Sequence, residues 1–239
     1  MYREIKKKIL ILENRKPFPP EIKAYMEEVS FHDWIYSSLR LDGSVISKQN
    51  VTKIMKGEFV VSVNLMEHSF IRNYIEAIKL ISVLVDMRNE LSEKVLLQIY
   101  QVLFPEHTEV YRTNNPVLIE LQYNPPHFKE IEEQMELLFD WLSEEDTTNP
   151  IRKATYLHNK IIEIYPFGAH SAIMARMALL YYLIQHGFPP ISLDMSESQY
   201  NDAMYHYLKT ENPESFYQVV ERGVYNQLEV MLQLTSSYR

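Results

Sequence analysis

The residues best able to do chemistry lie in one short segment in the second half of the chain. Tyr165, His170, Ser171 and Arg176 supply a phenol, an imidazole, a hydroxyl and a guanidinium there. A histidine beside a serine can act as a general base and a nucleophile. The alternative is that His170 or Ser171 caps the helix that follows, whose positive end lowers the pKa of an imidazole. A phenol has a pKa of about 10 and is a weak base, so we expect Tyr165 to pack in a cleft.

A second chemistry-bearing pair, His32-Asp33, is similar to the dipeptide of HD-type phosphohydrolases. That metal site needs further histidine and aspartate residues on neighbouring helices, and no second ligand pair occurs at helical spacing. We therefore reject this interpretation and predict no metal site. Five further histidines are scattered and are predicted to lie at the surface: His68, His107, His127, His186 and His206.

The composition predicts a globular protein with one sizeable core or two small domains. Of 239 residues, 46% are hydrophobic and 23% are charged, which is ordinary for such a protein. Glycine marks hairpins, bulges and phosphate-binding loops, so a count of only 5 disfavours an all-β or P-loop protein. The chain has no cysteine, which excludes disulfides, thiolate zinc sites and cysteine nucleophiles.

The charge pattern disfavours nucleic acid and membranes as partners. The net charge is −8 at pH 7, which leaves no general basic footprint for nucleic acid. The basic residues Arg3, Lys6, Lys7 and Lys8 alternate with apolar ones, so we expect them on the solvated face of a first helix. The sequence opens without a signal-peptide pattern, and no apolar run reaches the roughly 18 residues of a membrane span. We therefore expect a cytoplasmic protein.

Helical periodicity runs through almost the whole sequence and predicts an all-α bundle. Residues 1–60 are expected to form N-terminal helices and residues 61–239 the core, packed together as one globular unit. Ser47, Ser92 and Asn149 are predicted N-caps, and Leu41–Ser44 is a predicted turn. Beyond the first helix, the predicted helices cover residues 21–36, 48–56, 65–87, 93–104, 126–144, 150–163, 170–186, 197–209 and 215–234.

The segment from Tyr111 to Tyr123 lacks helical periodicity. It contains the apolar run Val117-Leu118-Ile119 and leads into Pro125-Pro126, which is typical of an extended chain. We predict a short β-hairpin, called the flap below.

Three ordered stretches resemble the Fic family of the Fido superfamily. Leu157–Phe167 is similar to the helix-to-loop entry of the family's catalytic motif, and residues 179–191 are similar to its continuation. Tyr111–Pro126 is similar to the family's flap. Ser38–Gly43 is similar to the inhibitory motif of the class with an N-terminal inhibitory helix. The resemblance spans most of the chain and implies a Fic-type helical bundle.

The resemblance implies a specific chemistry, the transfer of AMP from ATP to a protein hydroxyl. In the family a histidine is the general base, an acidic residue holds Mg²⁺, a Gly-Asn-Gly turn presents N–H groups to phosphates, and two arginines neutralise charge. Aligned on Pro166-Phe167, these positions here hold Tyr165 (base), Ala169 (metal), His170, Ser171 and Ala172 (turn), and Ile173 and Arg176 (arginines).

Most of the chemical groups of that motif are therefore missing, which predicts a degenerate site. Any remaining contacts to nucleotide phosphates are assigned to Ser171, Ala172 and Arg176, and a rearranged catalytic site to Tyr165, His170 and Ser171. ATP and Mg²⁺ are expected as cofactors only if the family's activity is retained.

The resemblance also assigns Ser38, Asp42 and Gly43 to the inhibitory motif, where Asp42 replaces the family's glutamate. Since the family's glutamate pairs with the second motif arginine, we predict that Asp42 and Arg176 lie within ion-pair distance. A protein target is expected to dock on the flap by strand addition. The residues assigned to this docking edge are Tyr111, Arg112, Thr113, Val117 and Ile119.

The favoured function is thus a binding or regulatory module with a degenerate Fic domain, and the alternative is an active transferase with a rearranged site. A DNA-associated regulator is disfavoured by the acidic charge. A homodimer and simple core packing explain the tyrosines of the C-terminal helices equally well: Tyr181, Tyr182, Tyr200, Tyr205, Tyr207 and Tyr217.

Overall fold

The apolar periodicity of the sequence produces ten α-helices in the described residues, which are 1–144 and 148–237 of a computed structural model. The predicted all-α fold is confirmed. The helices are α1 (Tyr2–Asn14), α2 (Pro20–Leu41), α3 (Lys48–Met55), α4 (Leu65–Asp86), α5 (Glu93–Leu103), α6 (Ile131–Ser143), α7 (Pro150–Ile164), α8 (Ser171–Gln185), α9 (Glu197–Thr210) and α10 (Glu214–Leu234).

Side-chain caps begin five of these helices. Ser47, Asn64, Ser92 and Ser196 each accept a hydrogen bond from the backbone N–H three residues later, and Asn149 accepts one from two residues later. Each such cap stabilises its helix by about 1 kcal/mol. The three caps predicted from the sequence are among them, so local chemistry sets these helix starts.

The antiparallel pair α7 and α8 lies at the centre of the fold. Most of α8 is buried, since α4, α5 and α7 pack around it. Helices α6, α9 and α10 cover the rest of α7, and α2 packs on α3, α4, α9 and α10. The loop that joins α7 to α8 carries the motif segment, so the fold places that segment between several helix ends.

Most of the C-terminal tyrosines belong to this core. Five of the six are buried, and only Tyr205 keeps substantial exposure. They therefore do not form an aromatic surface, and core packing accounts for them.

The flap differs from the predicted β-hairpin. It is joined across its two sides by one isolated antiparallel bridge, between Leu118 and Tyr123, with N···O distances of 2.9 and 3.2 Å. Pro116, Pro125 and Pro126 flank this bridge, and they have no N–H with which to extend a ladder. The flap is therefore a turn on an extended segment.

In the part of the chain that the structure describes, no helix combines the length and the apolarity needed to cross a membrane.

Candidate functional site

The motif loop reverses the chain between α7 and α8. Tyr165 ends α7 with left-handed backbone angles (φ 52°, ψ 49°), and its N–H donates to the Ile161 carbonyl. Gly168 is also left-handed, at φ 56°. A non-glycine residue in this region is strained, so the loop needs external support.

Arg112 supplies that support from the flap. Its Nε donates to the Tyr165 carbonyl at 2.9 Å, and its Nη2 donates to the carbonyls of Ile164 and Pro126 at 3.3 and 2.5 Å. Its backbone N–H donates to the Pro166 carbonyl at 2.9 Å. The guanidinium thus satisfies carbonyls at the C-terminal end of α7, where a cation is favourable.

The assignment of Arg112 to target docking is therefore corrected. Its side chain is buried, and this burial lowers the pKa of its guanidinium. Tyr111 is also directed inwards, since its hydroxyl donates to Glu93 and its ring lies 5.6 Å from that of Phe167. Thr113, Val117 and Ile119 are exposed and remain available for docking.

Arg112→Met is expected to release the flap. The variant keeps the aliphatic stem but leaves the carbonyls without donors, so we expect a loss of about 2 kcal/mol in unfolding free energy. Amide hydrogen exchange in residues 112–126 should accelerate first. Arg72→Met, at an exposed arginine of α4, is the matched control. An unchanged exchange rate in the flap would show that Arg112 does not hold it.

His170 and Ser171 do not form the base and nucleophile pair considered from the sequence. Ser171 is fully buried, and its Oγ accepts a hydrogen bond from the Phe167 N–H at 3.0 Å. The His170 ring stacks on Phe104 at 3.7 Å, and its Nδ1 lies 3.2 Å from the Tyr100 hydroxyl. Both polar groups serve to fix the loop.

The alternative of a helix cap is also corrected, because α8 begins without a side-chain cap and Ser171 instead closes the turn before it. Burial lowers the pKa of His170 and raises that of Tyr165. The imidazole and the phenol are therefore both uncharged at neutral pH.

Arg176 forms the predicted ion pair with Asp42. The Arg176 side chain is fully buried, and its Nη2 lies 2.5 Å from both carboxylate oxygens of Asp42, which is 26% exposed. Its Nε donates to the Ser38 Oγ at 2.7 Å, and the Tyr74 hydroxyl donates to the same oxygen at 2.6 Å. Burial alone would lower the pKa of Arg176, but the Asp42 carboxylate outweighs it and the pKa is raised.

The C-terminal end of α2 supplies two hydrogen-bond partners of Arg176. Ser38 and Asp42 are four residues apart and therefore lie on one face of its last turn. Gly43 then takes a left-handed conformation (φ 78°) that ends the helix and turns the chain away.

Two further residues of this site were missed by the sequence analysis. The Tyr200 ring lies 5.6 Å from the Arg176 guanidinium, and its hydroxyl lies 2.8 Å from the His158 Nε2. Both residues are buried. The available signal was His158-Asn159 within the apolar run of α7, since a polar pair there must find partners in the core. His68, predicted at the surface, is buried as well.

The motif side chains offer few groups to Mg²⁺ or to nucleotide phosphates. The positions that the family resemblance assigns to the metal and to a phosphate contact hold Ala169 and Ala172, whose side chains carry no donor or ligand atom. The described residues contain no group of three histidine, cysteine, aspartate or glutamate side chains placed to hold a metal. The one motif arginine is already neutralised by Asp42. The motif side chains are therefore poorly suited to hold the phosphates of ATP.

Comparison with known proteins identifies a Fic/DOC domain within the chain. Residues 90–183 match the model of the Fic/DOC family. Protein adenylyltransferase fic-1 of Caenorhabditis elegans is 23% identical over 72% of this chain and 35% of its own length. Protein adenylyltransferase Fic of Nematostella vectensis is 26% identical over 71% of this chain and 41% of its own length. The chain thus spans well under half of these relatives.

Solved structures share the fold over nearly the whole chain. A structure of C. elegans Fic-1 (residues 134–508) superimposes with a TM-score of 0.83 at 18% identity, covering 99% of this chain and 72% of that one. A Fic domain containing signaling protein from Bacteroides thetaiotaomicron also gives 0.83, at 15% identity, covering 99% and 98%. The family match covers α5 to α8 together with the motif segment between α7 and α8, so residues 90–183 of this chain are a Fic/DOC family domain.

Proposed function

We propose that this chain is a Fic domain that serves as a binding or regulatory module and does not carry out conventional AMP transfer. The observation that carries the proposal is the ion pair between Asp42 and the fully buried Arg176. The second motif arginine is held by the protein's own carboxylate, at a site where the other charged groups are absent.

The missing groups indicate how much of the rate of AMP transfer is lost. Loss of a general base costs about 10² to 10⁴ in rate. Charge neutralisation dominates phosphoryl-type transfer, and the metal position and first arginine position are Ala169 and Ile173. Tyr165 does not substitute as the base, since burial raises its pKa.

The flap supports the binding part of the proposal. Val117 is 67% exposed and Ile119 is 82% exposed. Arg112, near the N-terminal end of the flap, anchors the flap to the motif loop. An anchored segment with exposed apolar side chains suits the docking of an extended stretch of a target protein.

The alternative, an active transferase, draws its support from the similarity to protein adenylyltransferases. It requires His170 or Ser171 to become reactive. Ser171 is fully buried and hydrogen-bonded to the loop backbone, and His170 is stacked on Phe104. These contacts favour the binding module.

Transfer of label from α-labelled ATP tests the proposal. Wild type, Asp42→Gly and Asp42→Gly/Arg176→Ala are incubated with ATP and Mg²⁺, alone and with purified protein substrates of an active Fic enzyme. We expect no label above that of heat-inactivated protein in any of the three. Labelling by Asp42→Gly that disappears in the double variant would overturn the proposal, because it would show a competent site behind the ion pair.

A further inference from the structure

We infer that Tyr200 and His158 are positioning residues for Arg176, and that together they set how firmly Asp42 holds its guanidinium. This inference rests on the proposed function, in which Asp42 holds the second motif arginine. It concerns Tyr200 on α9 and His158 on α7, which lie outside the loop between α7 and α8 and outside the inhibitory segment.

The guanidinium is incompletely fixed by its own hydrogen bonds. Its Nε is bonded to Ser38 and its Nη2 to Asp42, while its buried Nη1 has no hydrogen-bond partner among the described residues. The Tyr200 ring, 5.6 Å from the guanidinium carbon, is within the range of a cation–π contact. The placement of Arg176 therefore depends on where this ring sits.

The ring is held in turn by His158. The Tyr200 hydroxyl and His158 Nε2 are 2.8 Å apart, and His158 Nδ1 lies 2.9 Å from the Asn159 Oδ1. Phe216 packs 4.3 Å from the His158 ring and 5.8 Å from the Tyr200 ring. The tyrosine ring is thus restrained at its hydroxyl and along its face.

The tautomer of His158 fixes the direction of this hydrogen bond. Burial lowers the pKa of His158 to about 3 and raises the pKa of Tyr200 to about 12, so both are neutral near pH 7. With Asn159 Oδ1 as acceptor, the proton of His158 is on Nδ1, and Nε2 accepts from the Tyr200 hydroxyl. A neutral imidazole adds no positive charge beside Arg176 to compete for Asp42.

Helix α9 also reaches the other partner of the ion pair. Glu197, in the first turn of α9, places its carboxylate 3.4 Å from the point where a Cβ on Gly43 would lie. Tyr200 follows three residues later on the same helix. One helix therefore contacts both the arginine and the turn that carries Asp42, which allows its position to alter the pair.

The test measures the ion pair directly and without nucleotide. Solvent exchange of the Arg176 Nε–H is followed by NMR in wild type, Tyr200→Phe and Tyr181→Phe. Tyr181 is the matched control, because it is a buried tyrosine whose hydroxyl donates to the Asn89 carbonyl at 2.8 Å, away from Arg176. We expect exchange about tenfold faster in Tyr200→Phe, the equivalent of one lost hydrogen bond, and within about twofold of wild type in Tyr181→Phe.

Replacement of His158 separates positioning from packing. His158→Gln retains an acceptor near the Nε2 position and should stay within about threefold of wild type, whereas His158→Leu should match Tyr200→Phe. Equal exchange in all variants, with lowered melting temperatures, would show ordinary packing and overturn the inference. Because no ATP is present, this outcome is independent of whether AMP transfer occurs.

Discussion

Asp42→Ala is expected to lower the free energy of unfolding by about 3 kcal/mol, the low end of the range for breaking a buried ion pair from one side. The variant leaves the fully buried guanidinium of Arg176 without its counter-charge. The low end applies because the Asp42 carboxylate retains some contact with solvent. For a chain of this size the change corresponds to a drop of about 6–12 °C in melting temperature, measurable by calorimetry.

Two controls make this prediction specific. Asp86→Ala, at an exposed aspartate at the end of α4, should change the stability by less than about 0.5 kcal/mol. The double variant Asp42→Ala/Arg176→Met removes both charges and should regain most of the loss. If Asp42→Ala lowers the free energy of unfolding by less than about 1 kcal/mol, the pair does not stabilise the fold.

Lowering the pH from 7.5 to 5 is expected to destabilise the protein by about 2 kcal/mol through His158 alone. Burial holds the pKa of this imidazole at about 3, against an ordinary value of about 6.5 in the unfolded chain. Between these values the unfolded state binds the additional proton. The contribution is therefore complete above about pH 6.5 and is lost progressively as the pH falls towards 3.

Urea titrations of wild type and His158→Gln at pH 7.5, 6 and 5 measure this effect. His158→Gln should lack the pH-dependent part, whereas His127→Gln, at an exposed histidine, should retain it. The comparison between variants is needed because the pKa of His170 is also lowered, so His170 also destabilises the protein as the pH falls. Parallel pH dependence in wild type and His158→Gln would contradict the assignment.

The local parts of the fold were predictable from the sequence because their causes are local. Ser47, Ser92 and Asn149 cap helices through backbone groups two or three residues away. The pairing of Asp42 with Arg176 was also predicted, but through the family resemblance. No periodicity or spacing links two residues that are 134 positions apart.

The roles of Arg112, His158 and Tyr200 required the structure. An arginine in a proline-rich segment is most often solvated, and Arg112 is buried because it meets the exposed carbonyls of the end of α7. His158 and Tyr200 meet across α7 and α9, so their hydrogen bond depends on how these helices pack. The hairpin predicted for the flap is wrong, because its prolines limit strand pairing to a single bridge.

The central claim is that Asp42 already holds Arg176 and that the motif segment lacks a phosphate site. Its most direct test is a calorimetric titration with ATP and Mg²⁺. We predict no binding tighter than about 1 mM for wild type or for Asp42→Gly. A micromolar dissociation constant that is lost in Arg176→Ala would contradict the claim, because it would show that Arg176 still holds nucleotide phosphates.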